Sequence, residues 1–214
     1  CNIERLVDAL TMRNLDGVVV SSSYNTYYLS GFKGIAHKSD EPRPYAVVLS
    51  RHQPDHPILV VADYYVGSLI SQPTWIEDIR TFRAVMLPLD LPPQDRDLER
   101  FLPTGIDSTS WAGNLRAHYA NNIAQSCREA MADLGLSSGR VAFDDLRFGQ
   151  QLGMETIEVV DGYDPMMYAR CVKTDAEIEL LKRATTVNDQ AICRSIKTWG
   201  PGMMWQEFNH EYHK

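Results

Sequence analysis

Three groups of residues in this 214-residue sequence have types that could do chemistry. His52-x-x-x-His56 with Asp55 offers metal-ligand side chains, but Pro54 and Pro57 place it in a turn, where two His do not share a helical face. It reads as a solvated hairpin tip. His210 and His213, with Glu207 and Glu211, do share a helical face, and Glu-x-x-His is a spacing that metal sites in helical bundles use. No obvious partner ligands accompany them, so the group reads as a solvated helix end. His210-Glu211-Tyr212-His213 is also not H-E-x-x-H, because the second His falls one residue early. Cys1 could act as an N-terminal nucleophile with its own α-amino group as base, but it precedes an amphipathic helix rather than opening a buried strand. It reads as a boundary residue.

Other chemistries lack their motifs. There is no G-x-G-x-x-G and no G-x-x-x-x-G-K-[ST] to cradle phosphate, and no G-x-S-x-G to present a nucleophilic Ser. The net charge of −7 and the pI of about 5.3 argue against a nucleic-acid footprint or an anionic membrane surface, since both need clustered Lys and Arg. No apolar run approaches the ~20 residues of a membrane span, and no basic lead with an apolar stretch marks a secretory signal. A cytoplasmic protein is expected. Four Cys without a C-x-x-C pair suit buried or incidental thiols.

The elements that must position any site follow from periodicity. Ile3, Leu6, Val7 and Leu10 define one face of a helix, and Asp16-Gly17 punctuates it before the unalternating apolar strand Val18-Val19-Val20. Ser22 to Phe32 predicts a short helix closed by Gly31. Tyr45 to Leu49 and Ile58 to Ala62 predict a hairpin, Tyr64 to Ile70 a helix, and Trp75 to Phe82 a strand. Four Pro between Met86 and Pro103 predict an irregular insertion. The spacing from Leu115 to Leu134 predicts one long helix closed by Gly135, followed by strands at Arg140 to Phe143 and Thr156 to Val160 around a short helix. Strand and helix alternate, so residues 1–162 are expected to form an α/β domain with a mixed sheet.

A second unit is expected over residues 163–214. Thr174-x-x-Glu177 is a capping box ahead of a long apolar-striped helix, ended by Gly200-Pro201-Gly202. A new apolar pattern then starts at Met203. A helix with that much apolar surface needs a covering element, so the sequence reads as the start of a further domain in a longer protein.

Two segments carry a resemblance. Asn25-Thr26-Tyr27-Tyr28-Leu29-Ser30-Gly31-Phe32, preceded by Leu15-Asp16-Gly17-Val18-Val19-Val20, resembles the start of the creatinase and prolidase N-terminal domain. Arg170-Cys171-Val172-Lys173-Thr174-Asp175-Ala176-Glu177-Ile178, followed by a helix and Pro201-Gly202-Met203, resembles the linker and first helices of the catalytic domain in that superfamily of Xaa-Pro aminopeptidases, Xaa-Pro dipeptidases and creatinases. Met204 stands where the family usually has Thr or Ser.

The resemblance implies an α/β, mixed-sheet N-terminal domain followed by the beginning of an α+β "pita-bread" domain. It implies a homodimer in which the N-terminal domain is a dimerisation module and lid over the partner's active site. In peptidase members, two Asp, one His and two Glu hold a pair of divalent metals, Mn, Co or Zn, that activate water. Those ligands, and the catalytic His of creatinase, would lie downstream of Lys214, so no catalytic or metal-binding residue is assigned in this chain. It is expected to be inactive alone. Arg43 aligns with an Arg that creatinase uses for a substrate carboxylate, which its planar fork suits. The expected substrate is a small peptide or amino-acid derivative. A non-catalytic peptide-binding module built on a peptidase scaffold is the alternative reading.

Overall fold

The apolar runs around Val18, Val47 and Val60 form the centre of one sheet, buried on both faces as their lack of polar alternation requires. A computed structural model describes residues 1–34, 45–84, 98–102, 104–105 and 111–214. In chain order the elements are α1 (Ile3–Met12), β1 (Gly17–Val20), α2 (Ser23–Ser30), β2 (Tyr45–Ser50), β3 (Ile58–Ala62), α3 (Val66–Ser71) and β4 (Asp78–Phe82). Then follow α4 (Trp111–Ala117), β5 (Tyr119–Ala120), α5 (Ile123–Asp133), β6 (Gly139–Phe143), α6 (Leu146–Gln151), β7 (Ile157–Asp161), α7 (Tyr163–Cys171), α8 (Asp175–Thr198) and α9 (Trp205–His213).

The described strands make a mixed seven-stranded sheet in the order β5-β4-β3-β2-β1-β6-β7. β2 is antiparallel to both neighbours, and every other pairing is parallel. Six strands therefore end on one edge, the carboxyl edge, where β2 begins. Of the predicted face of α1, Leu6 and Leu10 are fully buried, together with Ala9, while Ile3 and Val7 are partly buried; each large aliphatic side chain fully buried contributes about 1.5–3 kcal/mol. α6 sits unusually close to β6 and β7. A Cβ on Gly149 would lie 2.8 Å from the Phe143 ring and 2.7 Å from Val159, so only glycine fits there.

Two sequence expectations are corrected. The single long helix from Leu115 to Leu134 is instead α4, β5 and α5. Tyr119 and Ala120 leave the helix to pair with Thr81 and Phe82, and the Asn122 side chain restarts it by accepting from Gln125 N–H. The strand expected from Trp75 begins only at Asp78, because Trp75 and Thr74 are tied elsewhere, as described below. Residues 163–171 form α7, which packs on α1. Pro165 falls in its first turn, where the missing N–H costs nothing. The described chain divides into two compact units, Asn2–Cys171 and Val172–Lys214 with Cys1. Within the expected insertion, Leu98–Arg100 form a single 3-10 turn; most of that stretch lies outside the described residues.

The second unit, Val172–Lys214 together with Cys1, is built on the α8–α9 hairpin. Thr174 and Glu177 form the predicted reciprocal capping box. Tyr212 Oη donates to Asn188 Oδ1 at 2.5 Å, and the Phe208 ring stacks on Trp205 and meets Trp199 edge-on. Met204 supplies no side-chain cap to α9, but the Glu207 carboxylate accepts from its N–H at 2.8 Å, so one orphan donor is still satisfied.

Candidate functional site

A carboxylate-centred hydrogen-bond network lies at the carboxyl edge, between β1 and β6. The helix after β1 packs over β2, while the helix after β6 packs against β7. The connections thus diverge in opposite directions, which in open α/β sheets opens the crevice where ligands bind. Here the crevice is filled by a protein carboxylate. Asp144, one residue past β6, accepts from Ser21 N–H at 2.8 Å, Ser22 N–H at 3.1 Å, Ser22 Oγ at 2.5 Å and Asn25 Nδ2 at 3.0 Å. Ser22 is itself the N-cap of α2. Asp144 therefore takes the place at a helix N-terminus that a ligand phosphate takes in nucleotide-binding sheets. Asn25 passes the network on: its Oδ1 accepts from Arg170 Nη1 at 3.1 Å, joining α2 to α7.

A second cluster lies at the end of β3. Asp63 is 4% exposed, and its carboxylate accepts from Tyr119 Oη at 2.7 Å and more loosely from Ala84 N–H at 3.4 Å. Burial pushes its pKa up, and these hydrogen bonds, the Tyr64 backbone and the Arg83 charge only partly oppose that. Beside it, the Phe32 ring meets Tyr65 edge-on at 5.8 Å and Tyr45 at 6.4 Å. Gly34 is wedged against both tyrosines. A Cβ there would come 2.9 Å from the Tyr65 ring and 3.0 Å from the Tyr45 ring. Each segment of the Asn25–Phe32 motif thus has a task. Asn25 bridges Asp144 and Arg170, Gly31 closes α2 with φ +71°, and Phe32 anchors the aromatic cluster from which the chain leaves at Gly34 and to which it returns at Tyr45.

The residues singled out by sequence fall elsewhere. Arg43 lies outside the described residues. His52 and His56 sit in the β2–β3 turn at the opposite, amino edge, as expected for a hairpin tip. His52 Nε2 accepts from Arg51 Nε at 3.2 Å, whereas His56 and Asp55 line a separate cleft. His210 and His213 lie in the last turn of α9, where Glu211 pairs with Lys214. Among the described residues, no three His, Cys, Asp or Glu side chains are grouped so as to hold a metal ion. Cys127 is fully buried, and burial pushes its thiol up to about 12, which makes it unreactive. Tyr24 and Tyr27 are exposed, while Tyr28 Oη accepts from Asn2 N–H and donates to the Ala169 carbonyl.

Asp63 and Asp144 carried no motif. For Asp144 a signal existed: the Ser21-Ser22-Ser23 run after an apolar strand marks a helix start that needs an acceptor.

The profile of the creatinase/prolidase N-terminal domain family matches residues 2–158, and the chain belongs to that family. The fold is that of solved dipeptidases. The Xaa-Pro dipeptidase from Bacillus anthracis aligns at TM-score 0.61 and 19% identity, over 99% of this chain and 46% of that one. A dipeptidase from Pyrococcus horikoshii OT3 aligns at TM-score 0.61 and 17% identity, over 99% and 48%. The prolidase from Pyrococcus furiosus gives 0.54 and 12%, over 96% and 46%. This chain therefore spans less than half the length of these structures. No curated protein sequence matches it.

Proposed function

We propose that the chain is the dimerisation and active-site lid domain of a creatinase/prolidase-type hydrolase, with the first helices of its catalytic domain. The substrate class is a small Xaa-Pro peptide or an amino-acid derivative of the amidinohydrolase type. The observation that carries this reading is that the alignment to the Bacillus anthracis dipeptidase runs through 99% of the chain, so that α8 and α9 follow the N-terminal domain in the same order. Two further features support it. The aromatic cluster of Phe32, Tyr45 and Tyr65 fixes both ends of the segment holding Arg43, the residue proposed to meet a substrate carboxylate. The α8–α9 hairpin exposes Leu180, Leu181, Val187, Ile196, Trp199 and Trp205, a surface suited to burial against the body of a catalytic domain.

In this reading the hydrolytic groups and any pair of divalent metals belong to that catalytic body, the protein is a cytoplasmic homodimer, and the 214-residue chain alone turns nothing over. No helix among the described residues is long and apolar enough to cross a membrane. The test is an assay of the complete reading frame and of the 214-residue chain on Ala-Pro and on creatine, with and without chelator and added Mn²⁺. The longer product is expected to hydrolyse one of them and the shorter chain neither. Turnover by the shorter chain overturns the reading. Binding of Ala-Pro without turnover by the longer product replaces it with the non-catalytic module.

A further inference from the structure

A groove beside the amino end of β4 belongs to none of the features above. Its more apolar end, about 470 Å³, has the nearly buried Leu69 and Ile79 in its lining with Pro73, Thr74 and Trp111. Its charged end, about 560 Å³, is lined by Asp55, His56, Asp78, Arg80 and Asp133, with Trp75 at its side. Ile76, Glu77 and Asn114 line both ends, so the apolar one runs directly into the charged one.

Its wall is held before any ligand arrives. Trp75 Nε1 donates to the Leu29 carbonyl at 2.8 Å and Thr74 Oγ1 to the Ser30 carbonyl at 2.6 Å, using the orphan acceptors at the end of α2. Arg80, 3% exposed, is clamped between Asp78 at 2.9 Å and Asp133 at 2.6 Å. That clamp uses the groove's own Arg. Glu77 and Asp55 are both exposed, and among the described residues neither has an ion-pair partner. Four carboxylates, Asp55, Glu77, Asp78 and Asp133, face the single Arg80 guanidinium, an excess of three acidic groups over Arg at the charged end. The Trp75 indole, 48% exposed beside them, adds a face that attracts cations.

We propose that this groove docks a basic peptide segment of a partner protein carrying an aliphatic anchor. The anchor enters between Leu69, Ile79 and Trp111, and two following Lys or Arg side chains lie against Glu77 and Asp55. Charge complementarity selects this occupant: an acidic segment is repelled, and a wholly apolar one leaves the carboxylates unanswered. A preformed wall lowers the ordering cost of binding. Its wall is anchored on the Leu29 and Ser30 carbonyls, but none of its lining residues is one on which the hydrolase reading rests, so the proposal does not depend on that reading.

The test is fluorescence anisotropy of labelled Ile-Leu-Gly-Lys-Arg-Lys titrated with the 214-residue chain at low salt. Saturable binding is expected. Because two exposed carboxylates are removed, the Glu77→Gln, Asp55→Asn double variant should weaken it about tenfold, and the loss should shrink as salt is raised. Replacing the peptide's Ile-Leu by Gly-Gly should weaken it at least about fivefold. Neither carboxylate has an ion pair among the described residues, so an unchanged thermal midpoint shows that the variant is intact. The proposal is overturned if the double variant binds as tightly, if Ile-Leu-Gly-Glu-Asp-Glu binds equally well, or if binding does not saturate. Self-association of the chain that disappears in the double variant also overturns it, since the groove is then an interface between copies.

Discussion

The Asp144 carboxylate accepts both the N–H and the hydroxyl of Ser22, at 3.1 and 2.5 Å, and so ties the end of β6 to the N-cap of α2. Asp144→Ala leaves the Ser21 and Ser22 N–H groups without their acceptor and removes the negative charge from a helix N-terminus. The expected loss is about 2–4 kcal/mol, read as a lower urea midpoint with unchanged slope. Asp144→Asn keeps one acceptor oxygen and should lose about half as much. Equal stability of Asp144→Ala and the parent would show that the network is incidental.

Asp63 makes stability depend on pH. Its folded pKa lies above its ordinary value because burial disfavours the charge. A group raised in this way adds stability at acid pH, and that contribution is lost as pH rises through the folded pKa. The parent should therefore gain stability relative to Asp63→Asn as pH falls from about 7 towards the ordinary carboxylate range near 4. Paired thermal melts across that range check the sign. A difference that stays constant or runs the other way would remove Asp63 as the source.

Arg80 is buried, yet its partners are not: the side chains of Asp78 and Asp133 are 32% and 54% exposed. Removing the cation leaves two carboxylates that water can reach, so the loss of charge alone is a small effect. Arg80→Met keeps most of the packed stem and should cost less than about 1.5 kcal/mol, whereas Arg80→Ala should cost about 2–3 because it opens a void under α5. Chemical denaturation of the two variants separates packing from charge; a Met variant as unstable as the Ala variant would assign the cost to the ion pairs.

Much of the fold was legible because its signals are local. The apolar runs at Val18–Val20 and Ile58–Ala62, the Thr174–Glu177 box and Gly31 each need only a few neighbouring residues to be read. What was not legible depends on partners distant in sequence. The break between α4 and α5 exists because Tyr119 and Ala120 find an open edge on β4, which periodicity along 115–134 cannot reveal. The same holds for the candidate site. The Asn25 motif was visible, but its partners Asp144 and Arg170 lie 119 and 145 residues away. Asp63 was hidden because a single carboxylate after a strand has no pattern until Tyr119 meets it.

Gly34 and Gly31 are close in sequence but are glycine for different reasons, and substitution can tell them apart. Gly31 has φ +71°, and nothing lies within 4 Å of the place a Cβ would take, so Gly31→Ala should cost about 1 kcal/mol through backbone strain alone. At Gly34 the obstacle is space: a methyl group would press on the Tyr65 and Tyr45 rings at 2.9 and 3.0 Å. Gly34→Ala should cost about 1–3 kcal/mol by overpacking. The penalty should fall in a Tyr65→Leu background, whereas that of Gly31→Ala should not change, because only contacting sites couple. A double-mutant cycle by urea unfolding measures this. Additive losses for Gly34 and Tyr65 would mean that the aromatic cluster does not set the position from which the chain departs towards Arg43.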